Sequence, residues 1–182
     1  LDYQSPNTND PDTIETTALL AGTLLAHGGD ITLASVGSDD YSVTLLGGWT
    51  ASGEIGFDFS SSSAVEFTQG SESIEADLIA DSFDYLGSEG IDTVALTGSW
   101  TASTGDINID LAAGADALTI HGDLTAAGSN LTIDLGSDDN QLTISEGAEI
   151  EAQGLLTIQG DGGTDTVIVA GAAVSSNGNL LL

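Results

Sequence analysis

One short unit is copied along the chain, and this constrains the fold more than any other feature, because a fixed period makes neighbouring copies bury each other. "GTLLAHGGDITL" (Gly22 to Leu33) and "GDLTAAGSNLTI" (Gly122 to Ile133) carry glycine, leucine, alanine, glycine and threonine at the same offsets. The skeleton G-x-h-x-A-x-G-x-h-x-h, with h apolar, returns in "GWTASGEIGF" and "GSWTASTGDINI", and more loosely in "GAEIEAQGLLTI" and "GAAVSSNGNLLL". Taking the first glycine of each copy, Gly22, Gly47, Gly70, Gly98, Gly122, Gly147 and Gly171 stand 25, 23, 28, 24, 25 and 24 residues apart. The widest interval holds "SFDYLGSEG" (Ser82 to Gly90), which reads as a loop inserted on one side.

Within each copy the apolar residues alternate, and a period of two between Gly, Asp, Asn and Ser clusters predicts short strands joined by turns. Three sets recur: Val43/Leu45, Val65/Phe67, Val94/Leu96, Leu118/Ile120, Leu142/Ile144 and Val167/Val169; Trp49/Ala51, Ile74/Ala76, Trp100/Ala102, Leu124/Ala126 and Ile150/Ala152; and Ile31/Leu33, Ile55/Phe57, Ile107/Ile109, Leu131/Ile133, Leu156/Ile158 and Leu180/Leu182. No segment sustains a helical period. Three strands per copy, with like residues at like positions, predict an all-β fold, a parallel β-helix or β-solenoid of about seven coils. At the strand spacing of roughly 4.8 Å such a stack is about 35 Å long. An antiparallel sandwich accommodates short strands too, but gives no reason for one residue type to return at one offset. The expected inward column is Trp49, Ile74, Trp100, Leu124, Ile150 and Val174, beside a column of alanines. Residues 1–13 form a polar arm outside the repeat, and residues 14–182 form the solenoid.

The charge is one-sided: Lys+Arg 0, Asp+Glu 29, net charge -29. Capture of nucleic acid or of an anionic membrane surface needs Lys and Arg, so neither is expected as a partner. No apolar run approaches the roughly 20 residues of a membrane span, and no basic stretch opens the chain as in a secretory leader. The start at Leu1 reads as a mature product, a processed piece or an excised fragment. A chain lacking every basic residue suits an environment rich in trypsin-like proteases, or a resistant core left by digestion; an acidic halophilic shell fits less well at 16% charged residues.

The acids themselves recur. "GSDDYSVTL" (Gly37 to Leu45) and "GSDDNQLTI" (Gly136 to Ile144) both set two aspartates before a strand, and Asp92, Asp116 and Asp165 precede Val94, Leu118 and Val167. Stacked at one corner, these carboxylates repel unless a proton or a hard cation lies between them. The expected metal residues are therefore Asp39, Asp40, Asp92, Asp116, Asp138, Asp139, Asp161 and Asp165, with calcium as the cofactor. "GDGGTDTVI" (Gly160 to Ile168) resembles one copy of the calcium-binding nonapeptide of RTX proteins, which implies the same metal. Solvated turn residues that keep the rod soluble are the competing reading.

Other chemistry is thinly represented. His27 and His121 fall at different places in the repeat, and the outward threonines are divided among three faces, which does not make a flat ice-binding array. No nucleophile elbow, His-rich metal signature or phosphate-cradling loop is present, and the chain is not read as an enzyme. Phe83 and Tyr85, in the insert, are the outward aromatic candidates for a carbohydrate-binding or carbohydrate-cleaving groove.

The skeleton in "GDLTAAGSNLTI" and "GSWTASTGDINI" resembles the repeats of filamentous-haemagglutinin-like adhesins and related β-helical regions of secreted bacterial surface proteins, over roughly Thr17 to Leu182. That resemblance implies a right-handed parallel β-helix on a bacterial surface or in its matrix, acting as a stalk, adhesin or fibre alongside other surface components. "NGNLLL" ends the sequence inside an apolar strand, and "LDYQSPNTNDPDT" (Leu1 to Thr13) opens it as an arm. Leu1, Tyr3, Leu180, Leu181 and Leu182 are the expected assembly residues for head-to-tail stacking of copies into a filament.

Overall fold

The computed structural model describes residues 16–70, 76–170, 173–176, 178 and 180–181, and these form a parallel β-solenoid of three seven-stranded sheets with one strand per sheet in each coil. The first sheet stacks β1 (Thr16–Leu20), β4 (Asp40–Leu45), β7 (Ala64–Gln69), β10 (Thr93–Leu96), β13 (Ala117–Ile120), β16 (Gln141–Ile144) and β19 (Thr166–Val169). The second stacks β2 (Leu24–Ala26), β5 (Trp49–Ala51), β8 (Leu78–Ala80), β11 (Trp100–Ala102), β14 (Leu124–Ala126), β17 (Glu149–Ala152) and β20 (Ala173–Ser176). The third stacks β3 (Ile31–Ala34), β6 (Glu54–Asp58), β9 (Ser82–Leu86), β12 (Ile107–Asp110), β15 (Leu131–Asp134), β18 (Leu156–Gln159) and β21 (Leu180–Leu181). Every pairing is parallel and joins a strand to its counterpart one coil away, as β13 shows with Leu118↔Leu142 and Ile120↔Ile144.

Alternation along each strand sends every second side chain inward, where like residues stack. Trp49, Leu78, Trp100, Leu124 and Ile150 make one column, and Ala51, Ala80, Ala102, Ala126 and Ala152 occupy the position two residues on. The small alanines leave room for rings. Phe83 stacks on Trp100 with centroids 5.1 Å apart, and Phe57 meets Phe67 edge-on at 5.0 Å. Later coils fill the same volume with Leu and Ile alone: Leu118, Ile120, Leu131, Ile133, Leu142 and Ile144 are fully buried.

The repeated glycines are explained by how closely one coil lies on the next. A Cβ at Gly47 would fall 1.8 Å from the carbonyl oxygen of Gly22, and one at Gly122 would fall 2.3 Å from that of Gly98. No side chain fits between those turns.

Coil three departs from the sequence expectation. Ser82 to Gly90 is no inserted loop: Ser82–Leu86 is β9, and its Phe83 and Tyr85 pair with Ile55 and Phe57 below and with Ile107 and Ile109 above. The surplus residues lie earlier, in the connection 70–77 between β7 and β8, whereas 97–99 suffices between β10 and β11. Leu78 accordingly takes the column position expected for Ile74, which lies outside the described residues. In the first sheet Phe67 and Gln69, not Val65 and Phe67, align with Val43 and Leu45. Gln69 is thus a fully buried amide between Leu45 and Leu96. Its Nε2 donates to the carbonyl of Ala76, and its Oε1 accepts from Trp100 Nε1 at 2.9 Å.

Candidate functional site

The three corners of the coil are where the acids act, and they act on backbone. At the corner leading into the first sheet, register aligns Val65, Asp92, Asp116, Asn140 and Asp165 in successive coils. From Asp92 onward, each side chain accepts the backbone N–H of the same position one coil earlier. The Val65 N–H donates to Asp92 Oδ1 at 2.8 Å, the Asp92 N–H to Asp116 Oδ1 at 2.7 Å, the Asp116 N–H to Asn140 Oδ1 at 2.9 Å and the Asn140 N–H to Asp165 Oδ1 at 3.1 Å. The Asp92, Asp116 and Asn140 N–H groups sit one residue ahead of their strands and that of Val65 near the start of β7, and a short side chain with a planar oxygen reaches them. The result is a continuous ladder of side-chain oxygens climbing four coil junctions.

The other two corners carry ladders of opposite sense, in which the earlier coil supplies the oxygen. Between the second and third sheets, Asp30 Oδ1 accepts from the Glu54 N–H, Asp106 Oδ1 from the Asn130 N–H and Asn130 Oδ1 from the Leu155 N–H, each at 2.9 Å. Between the first and second sheets, Asp77 Oδ1 accepts from the Ser99 N–H at 3.0 Å, Ser99 Oγ from the Asp123 N–H at 3.4 Å and Asp123 Oδ1 from the Glu149 N–H at 2.9 Å. A shallow polar recess lined by Asp77, Ser99, His121 and Asp123 lies over this corner, and both of its carboxylates are already rungs.

Burial sets the electrostatics of the first corner. Asp92 is fully buried, and desolvation raises its pKa against the opposing hydrogen bonds from Ser88 Oγ, the Ser88 N–H and the Val65 N–H. Asp116 is 2% exposed, and its pKa is pushed up to about 7, chiefly by desolvation, with the Asp92 and Asp138 carboxylates adding to the rise and the Asp92 N–H opposing it. Asp116 Oδ2 and the Tyr85 hydroxyl are buried with no hydrogen-bond partner. At the second corner the balance reverses: the Ser129 hydroxyl and Asn130 N–H hold Asp106 below the usual carboxylate range.

The eight expected metal residues do not converge. Asp92, Asp116 and Asp165 share the column, with Asn140 as its fourth member. Asp40 pairs with Ala64, one position ahead of it, and Asp39 precedes Asp40. Asp138 and Asp139 are exposed in the turn before Asn140, where Asp139 Oδ1 accepts the Thr164 N–H at 2.7 Å. Asp161 is exposed in the turn after β18. Among the described residues no three carboxylate or imidazole groups are placed to hold one metal ion. The column therefore does not fit calcium, which needs six to eight oxygens around it; here one oxygen of each rung already faces an N–H donor.

One further expectation is corrected. Phe83 and Tyr85 face the core with no exposed surface, so they offer no ring to a sugar at the surface. His27 and His121 stay apart, and His121 Nδ1 lies 2.8 Å from Ser145 Oγ on the next coil. The rungs Ser99, Asn130 and Asn140 were not singled out from the sequence, because a search for charge passes over neutral oxygens. Their signal is a polar residue with a side-chain oxygen one or two residues before the alternating apolar pair.

Comparisons of the chain with family models, with curated proteins and with solved structures give no match. Fold and corners define the class: a three-sided parallel β-solenoid whose coils are tied at each corner by side-chain oxygens.

Proposed function

We propose that the protein is an extracellular structural element, a rod that builds a surface fibre, filament or adhesive stalk by head-to-tail stacking of copies. One observation carries this reading. The middle coils bury their inward residues completely, whereas on the outermost strand of the first sheet, β19, the inward pair Val167 and Val169 is 44% and 49% exposed although its partners Leu142 and Ile144 are fully buried. Outermost strands also carry backbone groups free to extend a sheet. A second copy laid end to end would continue the sheets and cover those side chains, and such a heterologous contact propagates instead of closing. The likeness of the repeat skeleton to filamentous-haemagglutinin-like adhesins supports a bacterial surface location. Leu1, Tyr3 and Leu182 lie outside the described residues, and Leu180 and Leu181 form β21.

Electron microscopy of the natively isolated protein, with and without a calcium chelator, tests the reading. Filaments are expected in both samples, since the corner ladders need no cation. Val167→Lys, which sets a charge among the uncovered inward residues of the outermost strand β19, should shorten or abolish them. Isolated short rods at every protein concentration would refute stacking.

A further inference from the structure

We infer that Asp116 is held as a neutral carboxylic acid, and that its proton ties the fourth, fifth and sixth coils together more firmly in mildly acidic than in alkaline surroundings. The argument rests on the neighbouring coil. Asn140 occupies the same position one coil later, and its Nδ2 donates to the carbonyls of Ser137 and Asp138 at 3.1 and 3.2 Å while its Oδ1 takes the Asp116 N–H. The turn before Asp116 repeats the turn before Asn140. Ala113 bridges to Ser137, and Gly114 and Asp138 at equivalent places both adopt positive φ, 124° and 76°.

Asp116 Oδ1 accepts the Asp92 N–H as Asn140 Oδ1 accepts the Asp116 N–H, so by register Asp116 Oδ2 takes the place of the amide nitrogen. That place calls for a donor. An ionised oxygen there would be buried without one, and Asp116 Oδ2 has no hydrogen-bond partner. A carboxylic acid has an O–H to give.

No ion pair relieves the charge instead. The chain holds no Lys or Arg. The titratable groups acting on this corner are the Asp92 carboxylate from the coil below, the Asp138 carboxylate from the coil above and the Tyr85 phenol on β9, which burial and the two aspartates push upward. Asn140 above is neutral. Desolvation, with the Asp92 and Asp138 carboxylates adding to it, opposes ionisation of Asp116 and outweighs the hydrogen bond from the Asp92 N–H, as its upward shift to about 7 reflects.

The sign follows from linkage. The folded protein keeps a proton that the unfolded chain releases at the ordinary Asp value of 3.8, so this contribution is complete below that pH and is lost as pH rises toward about 7. One proton changes the folding equilibrium by at most tenfold per pH unit across that window, and the effect levels off above it.

The test compares urea unfolding of the wild-type protein and Asp116→Asn between pH 4.5 and 8.5. Asparagine keeps the Oδ1 acceptor and supplies the donor permanently. The expected result is that the two are similar at pH 4.5, that the wild type falls progressively below the variant up to about pH 7, and that the gap is then constant. Identical pH profiles would overturn the proposal. A carbon-13 carboxyl titration of the wild-type protein gives an independent readout should the variant fail to fold: a midpoint for Asp116 in the ordinary Asp range overturns the proposal, and one near neutrality upholds it. If calcium restores wild-type stability at pH 8.5 and Asp116→Asn ignores it, a cation occupies the place assigned to the proton, and the proposal fails.

Discussion

Replacing Gln69 with leucine sets two forces against each other at one buried position. Hydropathy favours the change, because Leu45 and Leu96 flank Gln69 in its column and leucine would complete an apolar stack. Burying that side chain is worth about 1.5–3 kcal/mol. Against it, Trp100 Nε1–H loses its acceptor and the Ala76 carbonyl loses its donor, both in a fully buried setting. Each orphaned group costs about 1–3 kcal/mol. Two such losses outweigh one gain, so Gln69→Leu should destabilise the protein by roughly 1–3 kcal/mol. Urea unfolding followed by far-ultraviolet circular dichroism measures it. The double variant Gln69→Leu, Trp100→Phe removes the orphaned indole donor and should recover part of the loss, giving a coupling energy of about 1 kcal/mol or more. A Gln69→Leu protein as stable as wild type would show that the amide is merely accommodated, and the reasoning from buried partners would fall.

Two further substitutions probe the turns. Gly122→Ala would set a Cβ 2.3 Å from the Gly98 carbonyl oxygen, and forcing those coils apart should cost about 1–3 kcal/mol, read as a lower urea midpoint. Ala112 sits at φ 68° while Gly136 fills the same position one coil later at φ 74°, so Ala112→Gly should raise stability by up to about 1 kcal/mol and show as an increased melting temperature.

The period, the three strands per coil and the alanine and glycine columns were legible because stacking imposes one residue type at one offset. Coil three was read out of register for a physical reason. A strand slipped by two residues keeps the same faces inward and outward, so Val65/Phe67 and Phe67/Gln69 satisfy the alternation equally, and only cross-coil pairing separates them. That slip hid Gln69. It also pushed the surplus residues from 70–77 onto Ser82–Gly90, where the burial of Phe83 and Tyr85 reveals a strand. The acidic corner was found at the right place in the repeat, and the partner seen there is the backbone. Sequence spacing shows that carboxylates recur. It does not show that backbone N–H groups meet them first.

The corners need an oxygen more than they need a charge. Asn140 and Asn130 serve as rungs with neutral amides, Ser99 serves with a hydroxyl, and the rungs they make span the same coil-to-coil distance as those of Asp92, Asp116 and Asp123. An ionised rung at the rim, such as Asp106, gains from its N–H and hydroxyl donors, and its lowered pKa means that this gain is lost only as pH falls below the usual carboxylate range. A rung driven into the interior, such as Asp116, loses by being charged, and its raised pKa puts its best condition on the acidic side. The same residue type at two corners of the same coil junction therefore answers pH in opposite directions according to depth. With 29 acids and no Lys or Arg, the chain has no ion pair with which to even out that difference, so hydrogen-bond donors and protons must do it. Between the two limits lies a mildly acidic range in which Asp106 is ionised among its donors and Asp116 is neutral.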